Sequence, residues 1–216
     1  MSSPWRTIAR HAVKGYGRFA KGLQRRLHSR ELLEEYGSHL PVLGALCELF
    51  PPRVALEFGM GMASTPYLLD HAQLLVSVEC DRTWYKKTLR QIGPAKECFA
   101  PVLWPDEEPQ GILALLGTQV FDLALIDGRG RSRVPCARML LGRCRFMVLH
   151  DVDGVFYKWE EFFSSAEVVG HEHFFFSRRR LPWTAVVAAD KGDLSRVVEA
   201  CGDDVDEIDR FYAAVR

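Results

Sequence analysis

Four side chains have the types and spacing to handle a proton or a hard cation. Asp127 closes the segment "FDLALID", and His150, Asp151 and Asp153 follow in "RFMVLHDVDG". Asp127 and Asp151, with Asp153 or His150 in support, make an oxygen-rich donor set for a divalent cation such as Mg²⁺. Such an ion would acidify a vicinal diol and orient it. Without a metal, His150 or Asp151 is a general base for a hydroxyl group. The residues alone leave both chemistries open, along with a plain structural role for His150 as a strand-end cap. Asp122, inside the strand segment, reads as a turn residue.

A second constellation lies earlier, in "VALEFGMGMAST" (Val54–Thr65). Gly59 and Gly61 fall where a strand must turn sharply into a helix, and glycine there permits positive φ and a close ligand approach. Dinucleotide-binding folds use the same turn, but their third glycine would fall at Ser64, so that fingerprint is incomplete. Glu57, two residues before the first glycine, places a carboxylate where it repels a pyrophosphate and suits an ammonium group. Glu79 comes 22 residues later, at the end of the next apolar segment. An acid at that position accepts hydrogen bonds from both hydroxyls of a ribose. Asp81 is a neighbouring alternative.

The elements that must hold these residues are legible as apolar runs separated by helical stretches. Strands are expected at Arg53–Phe58, Leu74–Cys80, Glu97–Leu103, Phe121–Asp127 and Arg145–Asp151. Helices are expected over 38–50, Ser64–His71, Thr83–Ile92, Gly111–Gly117, Val134–Leu141 and Phe156–Ser165, with more from Leu194. Alternating strands and helices call for a parallel sheet covered on both faces. Two further strands, Glu167–Phe175 and Thr184–Ala189, are joined so tightly that they must pair antiparallel. The expectation is an α/β, doubly wound, mostly parallel seven-stranded sheet. An N-terminal amphipathic helix precedes it.

Composition narrows the partners. The 216 residues carry 28 basic and 28 acidic side chains, so no global field draws the chain toward nucleic acid, and none is expected as a partner. The balance is uneven, however. Residues 1–30 hold eight Lys or Arg and no acid. Trp5, Ile8, Ala12, Tyr16, Phe19, Leu23 and Leu27 line one helical face, with Arg6, Arg10, Lys14, Arg18, Lys21 and Arg25 opposite. This arm, over 4–28, fits three roles: packing on the domain or on a second subunit of a homo-oligomer, lying on a membrane surface or polyanion, or targeting. Residues 31–216 form the domain proper. The six cysteines are scattered without metal-ligand spacing, which favours a reducing compartment and a cytoplasmic location, peripheral to membrane if the arm binds lipid. No apolar run is long enough for a transmembrane helix, and no secretory signal is visible.

Taken together, "LEFGMGMAST…VSVECD…FDLALIDGRGRS…FMVLHDVDG" resembles class I, Rossmann-like S-adenosylmethionine-dependent methyltransferases, especially small members acting on sugars and natural products. The resemblance spans about residues 50–190. It implies that Glu57, Gly59 and Gly61, with the following Ser64 and Thr65, hold the methionine part of the cofactor, and that Glu79 holds its ribose. Ala63 departs from a common third glycine. Adenine contacts are expected from Trp104 or Asp106. Similar enzymes place metal-binding acids after the same two strands as Asp127 and Asp151. The implied activity is methyl transfer to an oxygen of a sugar or other small polar metabolite.

Two rival functions stand beside it: an NAD(P)-dependent oxidoreductase and a non-catalytic binding module of the same fold. The first would want a Tyr-x-x-x-Lys pair, whereas Tyr85 and Lys86 are adjacent. Arg129, Arg131, Arg133 and Arg178–Arg180 are either solvated loop charges or contacts to an anionic acceptor. Phe174–Phe176 and Trp183 read as hairpin core before acceptor pocket. His171 and His173 share a strand face without a third ligand.

Overall fold

A computed structural model describes residues 37–94, 97–105, 109–169, 173–177, 182–201 and 205–206. The arm at 1–30, Asp106, His171 and Arg178–Arg180 lie outside the described residues, as do the side chains of Phe174–Phe176. The strands are β1 (Val54–Phe58), β2 (Leu74–Glu79), β3 (Phe99–Leu103), β4 (Phe121–Ile126), β5 (Cys144–His150), β6 (His173–Ser177), β7 (Thr184–Ala188) and β8 (Val205–Asp206). They form one sheet in the order β3-β2-β1-β4-β5-β7-β6-β8. Strands β1 to β5 pair in parallel, and β7 pairs antiparallel with β5 and β6.

Three details differ from the sequence reading. The sheet has eight strands, because Val205–Asp206 adds a two-residue edge to β6. Residues Ala166–Val169 are helical, so the sixth strand starts at His173 and not at Glu167. All five residues of β7 are already paired with His173–Ser177, which leaves no partner strand for a longer run. The helix expected over Phe156–Ser165 is a 3₁₀ turn (Val155–Tyr157) followed by a short helix (Trp159–Phe163). Lys158, in the left-handed region at φ 60°, breaks the two apart.

Side chains on successive strand residues point to opposite faces. Leu123 and Leu125 accordingly join one core cluster, and Ala124 and Ile126 the other. The first face is covered by helices Leu40–Leu49, Ser64–His71 and Lys191–Cys201, through Leu43, Leu68 and Val197. The second is covered by Gly130–Leu140 and Trp159–Phe163, through Leu140, Trp159 and Phe162. Burying each such large side chain contributes about 1.5–3 kcal/mol. No helix among the described residues is long and apolar enough to cross a membrane, and none of the cysteines is in a disulfide.

The strand order positions the site. From β1 the chain winds outward through β2 and β3, then returns to β4 on the other side of β1. The connections on either side of that reversal part at the carboxyl ends of the strands and leave a crevice. Glu57, Glu79, Asp127 and His150 all stand at or next to those ends.

Candidate active site

The turn after β1 is fastened from within. Gly59 has φ 91°, and a Cβ there would run into the backbone carbonyl of Asp127. At Gly61 a Cβ would meet the Ser64 hydroxyl. That hydroxyl is committed, since it donates to Glu57 Oε1 at 2.6 Å. Thr65 Oγ1 donates to Glu57 Oε2 at 2.7 Å and accepts from the Gly61 amide at 2.9 Å. Ser77 on β2 also donates to Oε2. Glu57 is fully buried. Burial pushes its carboxyl up to about 7, against the pull of three hydroxyl donors. Glu57, Ser64 and Thr65 therefore build the glycine turn from behind, and none of the three lines the cleft.

Glu79 does line it. Its Oε1 accepts from the amides of Cys80 (2.8 Å) and Asp81 (2.7 Å), and its Oε2 from the Met60 amide (3.1 Å). Burial raises its pKa, and those hydrogen bonds oppose the rise. Two adjoining cavities meet here. One, of about 350 Å³, is lined by Gly59–Gly61, Glu79, Trp84, Asp127, His150 and Asp151. The other, narrower, is a slot of about 40 Å³ between Val78, Cys80, Trp104, Ile112 and Cys136. Gly59 and Glu79 border both. The indole nitrogen of Trp104 is buried with no hydrogen-bond partner. Asp81, the alternative to Glu79, instead caps helix Arg82–Ile92 by accepting from the amides of Thr83 and Trp84, each at 2.8 Å.

The far wall of the larger cavity carries a compact charge cluster. Asp127 Oδ1 accepts from Arg133 Nη2 (3.0 Å) and pairs with His150 Nδ1 (2.9 Å). Arg133 Nη1 donates to Asp151 Oδ2 (2.6 Å) and to the His150 carbonyl (2.9 Å), and its Nε donates to the Gly128 carbonyl (2.7 Å). Asp151 Oδ1 lies 3.2 Å from His150 Nδ1. Asp151 adopts φ 56°, a left-handed conformation uncommon outside glycine and found often at functional sites. Burial of Asp127 works against its charge, but His150 and Arg133 prevail and hold its pKa down to about 2. Burial likewise works against charge on His150, yet Asp127 and Asp151 raise its pKa above the ordinary value.

Sequence reasoning missed the supports of this cluster. Ser38 Oγ lies 2.6 Å from His150 Nε2. His39 packs edge-on against the His150 ring at 4.7 Å, is buried, and has its pKa lowered by burial to about 3. The sequence offers Arg133 as a loop charge or a contact to an anionic acceptor, whereas its side chain is 7% exposed and bridges two carboxylates. Tyr157 lies over its guanidinium at 4.3 Å. The one available signal was the run "GRGRSR", where alternate arginines on a helix start must face different ways.

The three acids expected to hold a metal do not converge. Asp153 accepts from the Trp183 amide at 2.7 Å, and the guanidinium of Arg133 already bridges Asp127 and Asp151. Ligand atoms of His39, Asp127 and His150 lie within 4.8 Å of one another. That set also fits a cation poorly, because the same Arg133 places a positive charge on Asp127. By contrast, the glycine turn without Cβ atoms, the unpartnered Trp104 nitrogen and the Glu79 carboxylate between them fit an elongated ligand with amino-acid, ribose and base parts. Arg131 is exposed, so the three arginines that follow Asp127 split into one built into the site (Arg133), one on its rim (Arg129) and one outside it (Arg131).

No family model matches the chain, and no curated protein does. Solved structures do. The O-methyltransferase TomG from Streptomyces achromogenes, involved in tomaymycin synthesis and in complex with S-adenosylmethionine, is 16% identical with a TM-score of 0.56. The match covers 79% of this chain and 87% of that one. The N-methyltransferase NodS from Bradyrhizobium japonicum, in complex with S-adenosyl-L-homocysteine, is 11% identical with a TM-score of 0.56, covering 80% and 99%. An O-methyltransferase from Bacillus cereus, also in complex with S-adenosyl-L-homocysteine, is 10% identical with a TM-score of 0.54, covering 88% and 92%. The chain therefore has the Rossmann-like fold of the class I S-adenosylmethionine-dependent methyltransferases.

Proposed function

We propose that the protein transfers a methyl group from S-adenosylmethionine to an oxygen of a small polar acceptor, such as a sugar, without a metal. The observation that carries this reading is Glu79 standing at the junction of two cavities. An amino-acid moiety fits along Gly59–Gly61, and a base fits the slot beside Trp104. The ribose hydroxyls then fall on Glu79. Bound there, S-adenosylmethionine would supply an activated methyl group for the acceptor oxygen, with a neutral thioether as the leaving group.

The chain's own work is alignment and proton removal. Asp151 faces the cleft with one oxygen held by Arg133 and the other beside His150. It receives the proton of the acceptor hydroxyl, and it is a stronger base while His150 is neutral, with the imidazole's one proton on Nδ1 facing Asp127. Asp127, ionised, keeps the imidazole oriented, and Ser38 holds its other nitrogen. Arg133 offsets the two carboxylates, the service a divalent cation would otherwise perform. Calorimetric titration tests the core of the proposal: S-adenosyl-L-homocysteine is expected to bind and NADH is not. Binding of NADH alone would overturn it.

A further inference from the structure

The hydrogen bonds of Arg133 fix its guanidinium within the plane of the group. Nε, Nη1 and Nη2 donate outward to Gly128, His150, Asp151 and Asp127, and none of these contacts holds a face. One face is covered by Tyr157, whose ring centre lies 4.3 Å from the guanidinium carbon. The two residues reach this point from different connections. Arg133 belongs to the helix after β4, and Tyr157 ends the 3₁₀ turn after β5. Two tight turns fold the ring back over the end of β5. The Gly154 amide donates to the Asp151 carbonyl at 3.0 Å, and the Tyr157 amide to the Gly154 carbonyl at 3.1 Å.

Two glycines make room for the ring. A Cβ at Gly130 would sit 2.7 Å from Tyr157 Cε1, and one at Gly154 would sit 2.6 Å from Cδ2 and Cε2. Neither glycine has a positive φ, so the backbone would accept alanine at both and the ring is what excludes it. Gly130 also opens helix Gly130–Leu140, where alanine would serve better. Burial raises the pKa of the Tyr157 phenol. Arg133 opposes the rise, and the Asp151 carboxylate, to which the hydroxyl donates, adds to it. Filling space would call for neither the cation on the ring face nor the carboxylate at the hydroxyl.

We propose that Tyr157 is a positioning residue for the proton-transfer cluster. Its ring seats the Arg133 guanidinium in the plane that spans Asp127 and Asp151, and its hydroxyl steadies Asp151. The catalytic purpose of this seating rests on the methyl-transfer reading, but the seating itself belongs to the folded protein without cofactor or acceptor.

The test is an NMR titration of His150 in the full-length protein, read together with the Arg133 Nε–H signal. Wild type, Tyr157→Phe, Tyr157→Leu and Gly130→Ala are compared. His150 faces Asp127, Asp151 and Arg133, with the neutral ring of His39 against its own. Of these charges Arg133 is the one that opposes protonation. A guanidinium that leaves its seat therefore lets the imidazole hold its proton longer. In Tyr157→Leu, His150 should titrate at least about half a pH unit higher, and the Arg133 Nε–H signal should lose its protection from exchange. Tyr157→Phe keeps the ring and should stay close to wild type in both readouts. Gly130→Ala displaces the ring without altering Tyr157, and should reproduce the shift of Tyr157→Leu. An unshifted titration in Tyr157→Leu and Gly130→Ala, or equal shifts in Tyr157→Leu and Tyr157→Phe, would overturn the proposal. Calorimetry with S-adenosyl-L-homocysteine on the wild type keeps the two readings apart. No binding there would end the methyl-transfer reading and leave the seating of Arg133 standing.

Discussion

Arg133 lies between Asp127 and Asp151, 3.0 Å from one carboxylate and 2.6 Å from the other. Two acids at the ends of adjacent parallel strands would otherwise repel, and one would tend to take up a proton. The guanidinium relieves that repulsion with a fixed geometry that an ammonium cannot copy. Activity is therefore expected to persist in excess chelator. Arg133→Lys should lose at least about tenfold in kcat, because the single-point charge spans both acids poorly. Loss of turnover on chelation, with recovery on added Mg²⁺, would refute this account of the cluster.

Glu79 should control cofactor affinity. Glu79→Ala removes two charge-assisted hydrogen bonds to the ribose, each contributing about 1.5–3 kcal/mol at most. It also leaves the Met60, Cys80 and Asp81 amides without their acceptor. Calorimetry should show S-adenosyl-L-homocysteine binding weakened by at least about tenfold. Wild-type affinity in this variant would move the ribose elsewhere.

Glu57 should govern stability more than affinity. In Glu57→Ala, the hydroxyls of Ser64, Thr65 and Ser77 lose a common acceptor in a buried site. Orphaned buried groups cost about 1–3 kcal/mol each, so the loss should be at least about 3 kcal/mol by denaturant unfolding. Glu57→Gln keeps the shape and an acceptor oxygen, and should lose less than half as much.

Stability and activity should respond to pH in opposite senses above neutrality. His150 has a raised pKa, so its contribution is complete below the ordinary 6.5 and fades as pH rises through the folded value. Glu57, raised from 4.5 to about 7, makes folding less favourable as pH rises across that window. His39, lowered from 6.5 to about 3, makes folding less favourable as pH falls between those values. From about 4.5 to 6.5 the Glu57 and His39 slopes oppose one another. Glu79, whose pKa burial also raises, tips that balance, so the Tm should drift down slightly with rising pH across this window, and fall more steeply below about 4.5 and above about 6.5. Turnover needs His150 neutral, so kcat should instead rise with pH above 6.5. A kcat that declines over that range would remove His150 and Asp151 from proton transfer.

Much of this arrangement is legible in the sequence, because it is encoded locally. Apolar runs such as Phe121–Ile126 and Cys144–His150 reveal parallel strands, and glycines at 59 and 61 reveal the turn between the first strand and its helix. The direction in which a side chain faces is less local. Glu57 and Glu79 look alike as strand-end acids, yet Glu57 is enclosed by three hydroxyls from two elements while Glu79 opens on the cleft. The bridging role of Arg133 depends on β4 and β5 being neighbours and on the helix between them returning one residue to that gap. Ser38 reaches His150 across 112 positions, a contact that no spacing rule contains. The helical turn at Ala166–Val169 was hidden because valines fit a strand equally well until the length of the partner strand is known.

The internal fastening of the glycine turn also has a kinetic consequence. Ser64, Thr65 and Ser77 converge on Glu57, and the Gly61 amide on Thr65, through contacts made entirely within the protein, so the cradle has its shape before any visitor arrives. A receptor already in its binding conformation has no ordering step to wait for. Stopped-flow traces of cofactor association should then show a single phase whose rate climbs in proportion to concentration, without the plateau of a gated site. The lifetime of the complex, and not its formation, becomes the quantity through which changes around Glu79 and Trp104 are felt.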